Sequence, residues 1–260
     1  MPILKVFKNL ISRRQVLFGL VIRNLNERYG GSSLGMLWVL ITPFLIMLAI
    51  SFVFGKIMGS EMPNLPLLIL SALLPWFFFI NSICESVNAF KQHKDILTQF
   101  AVPKEMIPLS IVISNLIIFL LSLAIMLPVF IISNNRVIYC LAVLPLLIIL
   151  HFIFTLGISI IFSIVGVYFR DLAQVINVGV MFFFWITPIF YSSDMIPKGY
   201  AWLNLANPAA PYINMYRMLL YKGDFLDPYL WFFCIFFAVL SMVIAFYLIR
   251  LKSNDLLKNI

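Results

Sequence analysis

The sequence predicts an all-α polytopic membrane protein with six transmembrane helices, and three observations predict it. The 260-residue chain is 63% hydrophobic and 11% charged, with a mean hydropathy of +1.06. A soluble domain of this length has too little polar surface to cover so much apolar surface, whereas lipid tails can be its outer solvent. Six stretches lack Asp, Glu, Lys and Arg and approach or exceed the roughly 20 residues needed to cross about 30 Å of hydrocarbon. The Lys and Arg residues fall in alternate connecting segments, as the positive-inside rule requires.

The six stretches are Leu34–Gly55, Leu65–Cys84, Ile107–Ile132, Ile138–Val167, Ala173–Tyr191 and Tyr229–Ile249. Their backbone groups find no water in lipid and must pair within each segment, which makes them helices. Prolines at positions 43, 75, 128, 145 and 188 are tolerated in membrane helices and predict kinks. Residues 1–33, 85–106, 168–172 and 250–260 hold 13 of the 18 Lys and Arg, and the opposite set of segments holds the other five. Both termini are therefore expected on the cytoplasmic face. A single membrane domain results, with a cytoplasmic N-terminus (1–33), a six-helix body (34–249) and a cytoplasmic tail (250–260).

Between spans five and six, Met195–Tyr216 is apolar enough to enter the membrane and carries one charge, Lys198, yet Asn204, Asn207, Pro208, Pro211 and Asn214 interrupt it. A seventh span would place the basic C-terminus outside. A re-entrant segment entering from the outer face satisfies both the interruptions and the charge rule.

Two cytoplasmic segments read as amphipathic helices. Ser12 is placed to cap a helix running to about Tyr29, with Leu17, Phe18, Val21, Ile22 and Leu25 on one face and Val16 and Leu20 breaking the pattern. Such a helix lies at the headgroups, where Arg23 and Arg28 can meet an anionic lipid phosphate. The second, Phe90–Ala101, sets Phe90, Ile96, Leu97, Phe100 and Ala101 against Lys91, Lys94, Asp95, Thr98 and Gln99, and Pro103 stops it. A plain linker has no need of an exposed Phe, so this helix either lies on the membrane or docks into a cytoplasmic partner.

Several chemistries are missing from the sequence. No G-x-x-x-x-G-K-[ST] phosphate loop is present, so the chain cannot energise transport by itself. His93 and His151 are the only histidines, no cluster with metal-ligand spacing accompanies them, and no Ser or Cys has a triad's partners. Cofactors and metals are therefore not expected. The spans so drawn contain no acidic residue, which argues against an ion-driven carrier. His151 reads as a neutral histidine hydrogen-bonded to a neighbouring helix, and Cys84, Cys140 and Cys234 as small buried hydrophobes. Basic segments separated by membrane spans exclude a nucleic-acid groove.

Aromatic residues form 16% of the chain and bunch at Trp76, Phe77, Phe78, Phe79 and at Phe182–Tyr191. Most serve packing and the interfacial belt. Trp38, Trp76, Phe77, Trp185 and Tyr191 are the candidates for a substrate path, because sugar rings stack their apolar CH faces on aromatic planes and need only loose hydrogen bonding.

Arg28-Tyr29-Gly30-Gly31-Ser32-Ser33-Leu34-Gly35-Met36-Leu37-Trp38 followed by Pro43 resembles the R-Y-x-x-S-x-L-G-x-x-W…P entry of type-2 ABC exporter permeases for O-antigen, capsule and teichoic acid polysaccharides. Phe169-Arg170-Asp171 is similar to that family's F-R-D, Trp185–Tyr191 to its W-x-T-P-I-x-Y, and Asn207-Pro208 with Tyr216-Arg217 to its N-P…Y-R. The resemblance implies a homodimer in a bacterial inner membrane, bound to two copies of a cytoplasmic ATPase, exporting undecaprenyl-linked polysaccharide. It implies that spans one and five line the path. It further implies ATPase coupling through Phe90, Lys94, Asp95, Leu97, Phe100, Arg170 and Asp171. Three rival readings stand beside it. One is an exporter of a lipid or drug, built alike. Another is a lipid-modifying enzyme, for which only Asp95, Glu105 and Asp171 are at hand on the cytoplasmic face. The last is a passive channel.

Overall fold

The computed structural model describes residues 13–59, 62–99, 102–192, 195–200, 202 and 207–252. All the regular structure among them is helical: α1 (Arg14–Tyr29), α2 (Trp38–Ser51), α3 (Leu65–Val87), α4 (Ala89–Gln92), α5 (Lys94–Gln99), α6 (Met106–Ser133), α7 (Val137–Cys140), α8 (Leu144–Tyr168), α9 (Leu172–Ile186), α10 (Ala210–Arg217) and α11 (Pro228–Lys252). A 3₁₀ turn at Gly35–Leu37 leads into α2, which widens into π turns over Phe52–Ile57. Ser12, Phe100, Ala101 and most of the C-terminal tail lie outside the described residues.

Among the described residues, five helical segments are long and apolar enough to cross a membrane: Gly35–Ile57, Leu65–Val87, Met106–Ser133, Leu144–Tyr168 and Pro228–Lys252. The fifth expected span falls short. Helix α9 has 15 residues, about 22 Å at 1.5 Å per residue, against about 30 Å of hydrocarbon. It ends because Thr187, the residue before Pro188, is extended at φ −67° and ψ 134°; proline's ring disfavours the helical region at its predecessor. The fourth expected span also divides. Residues from Val137 form the separate turn α7, and Pro145 sits in the first turn of α8, where its missing N–H costs nothing, rather than inside a helix as expected.

Helix α3 is the hub. Its side chains are buried on nearly every side, and α2, α6, α8, α9 and α10 all pack on it. Helices α8 and α11 pack closely, because small residues face each other. Cys234, Ala238, Ser241 and Ala245 form the buried stripe of α11, and a Cβ added to Gly157 of α8 would lie 2.5 Å from Ser241 Oγ and 2.7 Å from its backbone carbon. In lipid, where apolar contact alone does not drive helices together, such small-residue seams allow the close packing that does.

One expected face and one expected helix are corrected. On α1 the buried residues are Leu20 and Val21, with Leu17 and Leu25 half-buried, while Phe18 is 65% exposed and Ile22 faces outward with it. Polar groups on α6 set this rotation: Asn24 Nδ2 donates to Ser110 Oγ at 3.2 Å, and Ser114 Oγ donates to the Val21 carbonyl at 3.3 Å. Apolar periodicity alone placed Leu20 on the wrong side. The second amphipathic helix is broken at His93 into α4 and α5. Phe90 is buried and packs with Leu97 against Ile107, Ile111, Ile164 and Val167 of the chain's own core, so it is not the exposed anchor expected.

Replacing Gly157 by Leu forces α8 and α11 apart. The expected loss is about 2–3 kcal/mol of stability, near the upper end for an overpacked core, read as a lower midpoint of thermal unfolding in detergent. A midpoint equal to the wild type would remove this seam as a determinant of the fold.

Candidate functional site

At the end of the bundle that carries α1, three polar side chains from three helices converge. Arg28, at the last turn of α1, pairs through Nη2 with Oε1 of Glu85 on α3. Its Nη1 donates to Asn115 Oδ1 of α6 at 2.8 Å, and Asn115 Nδ2 donates to the other Glu85 oxygen at 2.9 Å. Both carboxylate oxygens and both faces of the amide are thereby engaged. Glu85 is the residue that sequence reasoning missed. Drawing the second span to end at Cys84 left it in a loop, whereas α3 continues to Val87, so one helix does carry an acid. Ser110, Ser114 and Asn115, at i, i+4 and i+5 in an otherwise apolar span, are the signal that could have found its polar partner face.

Arg28 also opens onto a cavity of about 330 Å³ lined by Tyr29, Trp38, Thr42, Phe77 and Asn115 among others. Trp38 stands at its rim, and its Nε1 donates to Ser32 Oγ at 3.1 Å. Flat rings beside a guanidinium suit a ligand with apolar ring faces and an anionic group. Burial raises the Tyr29 phenol above its ordinary value. Arg23 stands apart, exposed and paired with Glu27 at 2.6 Å.

The expected path aromatics are not brought together in one place. Phe77 joins Trp38 at this cavity. Trp76 is buried at 2% exposure, packed on Phe79 and Phe184, because its helix is the hub. Trp185 is 60% exposed at the far end of α9 and meets Phe190 edge-on at 5.1 Å, and the half-buried Tyr191 donates its hydroxyl to the Ile186 carbonyl. His151 is not hydrogen-bonded to a neighbouring helix as expected. Its ring stacks on Tyr212 and meets Phe78 edge-on, both at 5.0 Å, and neither nitrogen has a protein partner.

A second polar joint lies at that far end. The chain beyond α9 is irregular, and Arg217 of α10, 3% exposed, donates Nη1 to the Tyr191 carbonyl at 2.8 Å and Nη2 to those of Pro188 and Ile189. Asn207 Nδ2 donates to Thr187 Oγ1 at 2.6 Å, and Thr187 Oγ1 donates to the Phe183 carbonyl. The sequence motifs around Thr187-Pro188 and around Asn207 and Arg217 therefore meet in space.

At the first end, Lys91, Lys94 and Asp95 on α4 and α5, and Arg170 and Asp171 in the turn between α8 and α9, are exposed. His93, between α4 and α5, is 4% exposed and donates Nδ1–H to the Ala89 carbonyl. Burial holds it below its ordinary 6.5.

These features define an α-helical membrane protein: a bundle of membrane-length helices with a polar-edged aromatic cavity at one end. The chain belongs to the ABC-2 type transporter family, whose sequence profile matches residues 15–221. Over 202 residues it is 34% identical to the O-antigen export system permease protein RfbA of Klebsiella pneumoniae, covering 77% of this chain and 78% of that one. It is 31% identical over 221 residues to the RfbA of Myxococcus xanthus, covering 84% and 85%. It is 26% identical over 243 residues to the polysialic acid transport protein KpsM of Escherichia coli, covering 92% and 94%. Permeases of ABC transporters are non-catalytic subunits, and ATP is hydrolysed by a separate subunit.

Two outcomes follow from this geometry. Arg28→Ala and Glu85→Gln should each lower the unfolding midpoint, and the double variant should lose less than the sum by about 1 kcal/mol, a value kept small by the pair's partial exposure; strict additivity would show the pair to be idle. His93 has a folded pKa below its unfolded one, so its contribution is intact above about 6.5 and is lost as pH falls below that value, where the unfolded chain takes up the proton first. The midpoint should therefore drop from pH 7 to pH 5, and drop less in His93→Asn. Equal slopes for the two proteins would exclude His93 as the source.

Proposed function

We propose that this chain is the membrane subunit of an ATP-driven exporter that carries a lipid-linked polysaccharide from the cytoplasm to the outer side of a bacterial inner membrane. The observation that carries the reading is the cavity at Arg28, where Trp38 and Phe77 offer ring faces beside a guanidinium. Sugars stack on such rings without being gripped, and a lipid phosphate is the natural partner of the arginine. Arg28 would exchange the Glu85 carboxylate for that phosphate, and Arg23, apart from it on the exposed side of α1, would meet a lipid phosphate at the surface. Kinship with permeases named for O-antigen export and polysialic acid transport supports the same substrate class.

The topology belongs to this proposal. Helix α9 with the irregular Thr187–Tyr191 makes a sixth crossing, Met195–Tyr216 enters and leaves from the outer face, and both termini are cytoplasmic. Irregular backbone is tolerated at membrane depth where protein covers it, and Thr187, Pro188, Ile189 and Phe190 are all buried. The exposed apolar faces of α2 and α9 meet those of a second copy, and the path runs between the copies past Trp38, Trp185 and Tyr191, with Trp76 backing α9. Two ATPase subunits dock on Lys94, Asp95, Arg170 and Asp171, while Phe90 and Leu97 hold that surface in place from inside.

In cells lacking the chromosomal copy, the wild-type chain should restore glycan at the surface. The Trp38→Ala/Trp185→Ala double variant should insert normally and export at least tenfold less. Normal export by that variant would remove the aromatic path, and restoration of lipid or drug efflux without any glycan phenotype would remove the substrate class.

A further inference from the structure

Helix α3, the hub of the bundle, opens along one line only. From Leu68 to Val87 every residue is buried except Phe77, Asn81, Cys84 and Glu85. Phe77, Asn81 and Glu85 recur every four residues, so they share one face of the helix, each about 6 Å from the next at 1.5 Å per residue. That face carries an aromatic ring, an amide and a carboxylate in order. Phe77 and Asn81 line the cavity of about 330 Å³ at Arg28, and Glu85 pairs with that arginine. Helix α2 repeats the pattern with Trp38 and Thr42, also four residues apart and also lining the cavity. The Asn81 amide has no hydrogen-bond partner among the described residues, whereas Asn115 of α6 is engaged on both sides. An amide within a membrane helix is costly unless something pairs with it.

We infer that Asn81 is the specificity-determining residue of this cavity, and that it reads the hydrogen-bonding substituents of the first sugar, the one bonded to the lipid phosphate. This rests on the proposed function, which puts that phosphate at Arg28. With the anion there, Asn81 stands one helical turn along α3 and Phe77 one turn further. A glycosyl phosphate has the same order: an anion, then polar substituents within one ring's width, with an apolar CH face turned to one side. The volume sets how much of the polymer is read. About 330 Å³ is at the small end of ligand sites, which run from about 300 to 1,000 Å³, so one sugar enters rather than a chain. An amide offers both donors and an acceptor, which suits a hydroxyl or an acetamido group. A bare prenyl phosphate brings it nothing to pair with. Rings that stack without gripping leave the later sugars unread, so recognition is confined to the first.

The test measures binding of three probes to the full chain in phospholipid nanodiscs: a short prenyl phosphate bearing one hexose, the same probe with an acetamido group in place of one hydroxyl, and the prenyl phosphate alone. The wild type should bind a sugar probe at least tenfold more tightly than the bare phosphate; a margin confined to one of the two sugars supports the reading and names the substituent. Asn81→Leu, close in size, should lose about tenfold on that sugar probe, the scale of one buried hydrogen bond. Its binding of the bare phosphate should stay within twofold and its unfolding midpoint should be unchanged. Arg28→Ala should weaken all three probes alike. Should Asn81→Leu fail to insert, Asn81→Gln, which displaces the amide by one methylene, carries the same comparison, and its loss must fall on the sugar probes alone. An equal loss on all three probes makes Asn81 structural and overturns the inference. A wild type that holds the bare phosphate as tightly as the sugar probes also overturns it, while leaving the proposed function standing. A wild type that binds no phosphate probe strikes the proposed function and this inference with it.

Discussion

In hydrocarbon a backbone carbonyl has no water to turn to, and each one left without a donor costs several kcal/mol. Helices meet that demand internally, so the long helices need nothing from one another beyond a good fit. The segment 187–191 does not meet it, because Pro188 ends α9 short of a full crossing. Arg217 supplies the missing donors from α10, and Asn207, just before α10, ties the end of α9 to the same region through Thr187. That end of the bundle is arranged around this exchange. A buried cation is tolerated there because its hydrogen bonds go to carbonyl dipoles that would otherwise lack partners.

The opposite end solves a related problem with charges of both signs. Helix α1 has too narrow an apolar stripe to hold itself against the bundle, and Phe18 and Ile22 point away from it. Asn24, Arg28 and the Val21 carbonyl fix it to Ser110, Asn115 and Ser114 of α6, and Glu85 completes the set from α3. The same arginine then faces the aromatic cavity. On the proposed function, structural attachment and ligand chemistry would share one side chain.

Between the two ends, packing is graded. Helices α8 and α11 are joined by a seam of Gly, Ser, Ala and Cys that admits no extra carbon, whereas α9 lies beside an open apolar cavity.

Much of this was legible in the chain. Runs free of charge fixed where five long helices lie to within a few residues, since the length of an apolar run is dictated by the bilayer and not by neighbours. The motifs at Arg28–Trp38, Trp185–Tyr191 and Asn207–Arg217 marked the places where polar chemistry gathers. Apolar periodicity misjudged the face of α1, where Leu20 is buried, and could not tell what covers the apolar side of the loop helix, whose Phe90 and Leu97 are buried by the chain's own core. Partnership was likewise invisible: Arg28 with Glu85 spans 57 positions, and Arg217 reaches back to Pro188. The sequence by itself determined that the chain is a bundle of membrane helices, because solvent transfer acts residue by residue. Only the tertiary structure decided which polar groups answer one another and where the bundle stays open, because both depend on distances between helices that no local pattern encodes.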